Sequence, residues 1–238
     1  MTPHESVVPG RWPAWGWEDV ALLVGAVLPA FGLGLMLMRA LRRLAPELFG
    51  LAAVNTLTFQ LFVYIFLVGA LFLLISGKYG QPFWTALGWT MAFPGAILSV
   101  VAGPVLAVGV SVLGVTIRAP EVGDPIRGMI TGRLSLAVVV AFGVLIAPFV
   151  EELLFRGFLF PLIARSIGPW PGMIATAILF ALPHGAQNEW AWQQLTLIAL
   201  AGVAFGFARY RTGATSASFL MHASFNATQF VGFLLTRS

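Results

Sequence analysis

Three stretches of this chain, Val20–Met38, Leu51–Ser76 and Met91–Thr116, contain no Asp, Glu, Lys or Arg. A helix needs about 20 apolar residues to cross a bilayer, so each can span one. Hydrocarbon offers the backbone no water to bond, and such stretches must therefore be helices that satisfy their own N–H and C=O groups. Shorter apolar segments follow at Leu134–Phe149 (extendable to Ile163), Pro171–Pro183, Leu195–Ala208 and Ala214–Leu235. Only 9% of the residues are charged and mean hydropathy is +0.91, where soluble domains carry roughly 25% charge. The same figures exclude a disordered chain. The expected fold is all-α: a polytopic membrane protein with about seven to eight transmembrane helices.

The connectors divide the chain. Residues 1–19 read as an interfacial arm, with Trp12, Trp15 and Trp17 at headgroup level. Residues 20–133 hold membrane helices without a recognisable motif, and residues 134–238 hold the motifs described below. Arg39, Arg42 and Arg43 follow the first apolar stretch. They favour a cytoplasmic end there, hence an outside N-terminus. A multi-pass protein of the cytoplasmic membrane is expected. The formal net charge of +4 comes from arginines at segment ends, with no basic stripe, so a lipid bilayer rather than nucleic acid is the expected partner. The absence of cysteine excludes disulfides, thiolate nucleophiles and cysteine metal ligands.

Against this background the stretch "APFVEELLFRGFLF", Ala147–Phe160, is anomalous. It places Glu151, Glu152 and Arg156 in an apolar run. The other ionisable residues in apolar segments are His184, in "FALPH", and His222, in "HASFN" with Asn226. Each intramembrane charge costs roughly 2.5–3.5 kcal/mol on insertion scales, so such groups face a protein interior or a wet cavity. Glu152 and Arg156 are four apart on one helix face and can pair. Glu151 lies about 100° round the helix and has no cation in its own helix. His222 and Asn226 are also four apart. A carboxylate and two imidazoles on three different segments are most simply explained by one shared cavity.

In this order, E-E-x-x-x-R, F-x-x-x-H and H-x-x-x-N resemble the motifs of the CPBP family of intramembrane proteases, over about Leu134–Leu235. That family holds the type II CaaX prenyl endopeptidases and bacterial proteins linked to bacteriocin processing and self-immunity. The resemblance implies helices enclosing a conical cavity and an endopeptidase that cuts a membrane-associated peptide or protein near the membrane surface. It also implies that Glu151 and His184 hold and activate the attacking water, while His222 and Asn226 polarise the scissile carbonyl. Glu152, Arg156 and Phe180 match supporting positions.

The residue types suit those roles. A carboxylate can act as general base, and Asn and His donors aimed at a developing oxyanion contribute about 10²–10³ in rate. No cofactor is required in this reading. The main rival is a zinc ion held by Glu151, His184 and His222, although no H-E-x-x-H sequence is present. Aspartyl chemistry lacks two membrane aspartates, since Asp19 and Asp124 lie in polar segments. A serine–histidine dyad built on Ser111 leaves Glu151 and Asn226 unexplained. A proton-coupled transporter and a non-catalytic membrane scaffold are the readings from other classes. A relay strings its titratable groups along a pore, whereas a hydrolytic site gathers them.

Overall fold

The computed structural model describes residues 12–90, 95–120 and 128–235. The first eleven residues of the arm, the start of the third apolar run at Met91, and residues 121–127 of the polar connector lie outside the described residues.

The described chain is helical throughout, with no strand among the described residues. Four helices are long and apolar enough to cross a membrane: α1 (Trp17–Leu44), α2 (Ala52–Lys78), α3 (Gly95–Thr116) and α4 (Arg133–Ile167). Three more complete the bundle: α5 (Pro169–Ala181), α6 (Trp192–Thr212) and α7 (Thr215–Leu235). The protein is thus an all-α, multi-pass membrane protein. Large side chains such as Leu28, Leu98, Val105 and Val115 stand exposed along α1 and α3, where lipid replaces water as the solvent.

Without a hydrophobic drive between helices in lipid, close approach depends on small residues. Gly103 shows this where α3 packs on α7: a Cβ there would meet the Met221 carbonyl at 2.6 Å and the Phe225 nitrogen at 2.7 Å. Between α4 and α5 the chain reverses at Gly168, whose φ of +90° lies where side chains are strained. The reversal brings α5 back along the end of α4. Helix α5 then stops early. Pro183 lacks the N–H that another α-turn needs, and the chain tightens into a 3₁₀ turn at Leu182–His184. The His184 ring therefore stands where a short helix gives way to a connector.

Helix α4 is not a regular α-helix. Two π segments interrupt it, Phe142–Ile146 and Leu153–Leu159, and each is followed by a proline, Pro148 or Pro161. In the first, the Ala147 N–H reaches back to the Phe142 carbonyl. The next donor in that register is residue 148, which as proline has no N–H to give the Gly143 carbonyl. In the second, the Phe160 N–H reaches the Phe155 carbonyl, and Pro161 fails the Arg156 carbonyl in the same way. Side chains from later helices bond both carbonyls. Asn226 Nδ2 donates to Gly143 O at 2.7 Å, and Arg209 Nε donates to Arg156 O at 3.3 Å. Buried carbonyls are expected to be paired, and here proline placement decides which side chains do the pairing.

The N-terminal arm departs from expectation at Trp15. Trp12 and Trp17 are half exposed, but Trp15 is fully buried. Its indole stacks on Phe158 at 5.3 Å and donates to the Phe158 carbonyl at 2.9 Å. Arg165 clamps the same arm through the carbonyls of Pro13 and Trp15. An indole N–H that finds a buried acceptor no longer needs the headgroup layer. Asp19 is likewise buried, held by Lys78 and Tyr79 at the end of α2.

Candidate active site

Glu152 and Arg156, four residues apart on α4, form the expected ion pair, with Arg156 Nη1 to Glu152 Oε1 at 2.8 Å. Both are essentially inaccessible. A buried charge is tolerated only when paired and hydrogen-bonded, and Glu152 has more than one partner. His222 Nδ1 lies 2.9 Å from the same Oε1. Ser218 Oγ lies 2.6 Å from Oε2 and 2.7 Å from the Phe205 carbonyl, although its single hydrogen can serve only one of them. Arg156 Nη2 donates to Gly202 O at 2.8 Å. The guanidinium also lies over the Phe180 ring at 4.5 Å and the Phe205 ring at 5.5 Å, a favourable cation–π arrangement. Glu152 thus ties α4 to α7, and Arg156 ties α4 to α6. Sequence spacing finds the pair and misses its extension to Ser218 and His222.

Glu151, one residue earlier, faces a different environment. Its side chain keeps 15% of its surface exposed. Tyr64 of α2 donates to Oε1 at 3.1 Å, and Oε2 lies 3.9 Å from His222 Nε2, beyond direct hydrogen-bond length. The His222 ring therefore stands between two adjacent glutamates, bonded to one and facing the other. It stacks on Phe205 at 4.4 Å and meets the edge of Phe180 at 5.6 Å. Tyr64 sits near the middle of α2, roughly 18 Å of helix from one end and 21 Å from the other. Glu151 is therefore level with the centre of α2.

His184 approaches from the end of α5. Its Nδ1 lies 3.0 Å from the Phe180 carbonyl, an acceptor, so Nδ1 carries the hydrogen, and in the neutral ring Nε2 keeps a lone pair. Phe180 links the two imidazoles, with its ring 5.1 Å from that of His184 and 5.6 Å from that of His222. The Phe four residues before His184 is therefore the packing hub among Arg156, His184 and His222. Asn226 is partly buried and spends one amide hydrogen on Gly143 O; the other remains for a ligand.

Among the described residues, no three His, Cys, Asp or Glu side chains converge as a metal-ligand set. Glu151, His184 and His222, the set expected for zinc, are not brought together as such a group. Sequence reasoning passed over Tyr64, Gln60 and Ser218. A signal existed for the first two: Gln60 and Tyr64 are polar residues four apart inside the apolar run Leu51–Ser76.

No curated protein and no solved structure matches the chain. A family model does match, over residues 133–228, from the start of α4 into α7. That stretch carries every residue of the site except Gln60 and Tyr64 of α2. Over residues 133–228 the chain is similar to the type II CAAX prenyl endopeptidase Rce1-like family.

Proposed function

We propose that this chain is an intramembrane endopeptidase of the cytoplasmic membrane that hydrolyses a peptide bond with a water activated by Glu151, without a metal. The observation that carries the reading is the pair Glu151 Oε2 and His222 Nε2, 3.9 Å apart and not bonded to each other, so that the carboxylate oxygen remains for a water and the ring nitrogen for a substrate carbonyl.

The roles follow from hydrogen inventory. His184 Nε2 holds a lone pair and accepts one hydrogen of the attacking water. Glu151 takes that water's other proton as its oxygen bonds the scissile carbon. The carbonyl electrons move to oxygen, which then needs donors. Asn226 has its second amide hydrogen for that oxygen. His222 has Nδ1–H committed to Glu152, so Nε2 donates when the ring is an imidazolium. In that state Glu151, Glu152, Arg156 and His222 sum to zero charge. Collapse of the tetrahedral species breaks the C–N bond, and the proton on Glu151 passes to the leaving nitrogen. A donor so placed for an oxyanion contributes about 10²–10³ in rate.

The test is cleavage by the purified protein in lipid vesicles, with mass spectrometry locating the cut. The substrates are a farnesylated peptide with a C-terminal CAAX sequence and the same peptide without the lipid. Cleavage that survives chelator and disappears in Glu151→Gln is the expected result. Loss of activity on chelation that added zinc restores would replace the metal-free mechanism, and undiminished cleavage by Glu151→Gln would remove Glu151 from it.

A further inference from the structure

Among the described residues of the first half of the chain, Tyr64 bonds Glu151, and it lies outside the matched residues 133–228. We propose that Tyr64, oriented by Gln60, is a positioning residue: it holds Oε1 of Glu151 and so leaves Oε2 as the oxygen that takes the proton from water. This rests on Glu151 being the general base.

The geometry fixes the direction of each bond. Gln60 Nε2 donates to Tyr64 Oη at 2.9 Å. An amide nitrogen only donates, so Oη accepts there and turns its own hydrogen to Glu151 Oε1, 3.1 Å away. The tyrosine ring cannot swing freely, because it stacks on Phe142 with centroids 5.9 Å apart and planes 16° from parallel. Phe142 opens the π segment whose Gly143 carbonyl binds Asn226. The same short stretch of α4 therefore sets the position of Tyr64, on the base side, and of Asn226, on the oxyanion side. With Oε1 occupied, Oε2 alone faces His222. A carboxylate without this restraint rotates about its last torsion, which is broad and roughly two-fold, and presents either oxygen in either direction. Misplacement of a reacting group by about 1 Å can cost 10²-fold in rate.

The test compares Tyr64→Phe, Gln60→Leu, Glu151→Gln and the double variant Tyr64→Phe/Glu151→Gln on the peptide that the wild type cuts. Tyr64→Phe keeps the ring stack and removes only the hydroxyl. It should lower kcat about 10- to 100-fold with KM within about twofold of wild type. Gln60→Leu, which leaves the hydroxyl in place, should show a smaller loss in the same parameter. Adding Tyr64→Phe to Glu151→Gln should cost nothing more, since the restraint then has no base to position. A second readout needs no turnover. In unfolding titrations of the detergent-solubilised protein, the effects of Tyr64→Phe and Glu151→Gln should not add, as expected of side chains in contact. Wild-type kcat in Tyr64→Phe, or an equal loss with and without Glu151, overturns the proposal. If Glu151→Gln is inactive while Tyr64→Phe is normal, only the role of Tyr64 falls. If Glu151→Gln is active, the mechanism beneath it falls as well.

Discussion

Glu151 and Glu152 are adjacent in sequence and occupy opposite kinds of region. Around Glu152 the molecule is closed: an arginine, an imidazole and a serine surround the carboxylate, and none of it meets solvent. Around Glu151 the molecule is open: one phenol holds one oxygen, and the other faces an imidazole it does not touch. The difference comes from helix geometry. One residue step turns the side chain by about 100°, which carries it from the α6–α7 side to the α2 side of α4. One carboxylate has both oxygens bonded within the protein, and the other keeps one oxygen clear of any direct bond. His222 belongs to both, and through it the fixed charge of Glu152 bears on whatever occupies the space beside Glu151.

The sharpest way to break this contrast is to remove each carboxylate's charge in turn. Glu151→Gln should lose about 10²–10⁴ in kcat, the usual contribution of a general base, while its unfolding midpoint in detergent shifts far less than that of a variant in the closed region. The closed region should behave in the reverse manner. Arg156→Met leaves Glu152 buried without its cation, a change that typically costs about 3–5 kcal/mol. The double variant Glu152→Gln/Arg156→Met removes both charges and should regain much of that loss in the same titration. If Arg156→Met unfolds like wild type, the buried pair does not hold α4 and α6 together. If Glu151→Gln is as destabilised as Arg156→Met, the two regions are not distinct.

The two regions were not equally legible in the sequence. The Glu152–Arg156 bond is local, and a spacing of four on a helix suffices to read it. Glu151, His184, His222 and Asn226 were singled out by the cost of ionisable groups in lipid and by their motifs, which mark residues but not their contacts. His222 bonds Glu152 rather than Glu151, and no spacing reveals which of two neighbouring carboxylates an imidazole from another helix will meet. Tyr64 escaped because neutral polar residues in apolar runs cost too little to stand out, as Gln60, Thr56 and Asn55 on the same helix show. Trp15 was misplaced because a tryptophan near a membrane segment reads as interfacial until a buried carbonyl, here that of Phe158, is known to be within reach. The bounds of α4 were legible, but its π segments were not. Their signature is the proline that follows each, and proline in an apolar run reads first as a kink.

A smaller effect tests how the open region is built. Asn226 has a structural duty besides any contact with substrate, because it bonds the Gly143 carbonyl that Pro148 cannot serve. Asn226→Ala should therefore destabilise the protein by about 1–3 kcal/mol, the cost of leaving one buried polar group unpaired. Pro148→Ala restores an N–H whose acceptor in the π register is Gly143 O. In that background the same Asn226→Ala change should cost measurably less, because the carbonyl regains a backbone donor. Strictly additive losses in detergent unfolding would mean that Asn226 sits where it does for another reason. Turnover separates the two duties: if the amide also stabilises the oxyanion, Pro148→Ala/Asn226→Ala recovers stability and remains slow. A double variant that recovers both would reduce Asn226 to a brace for an interrupted helix, and would leave His222 as the donor to the developing charge on the open side of α4.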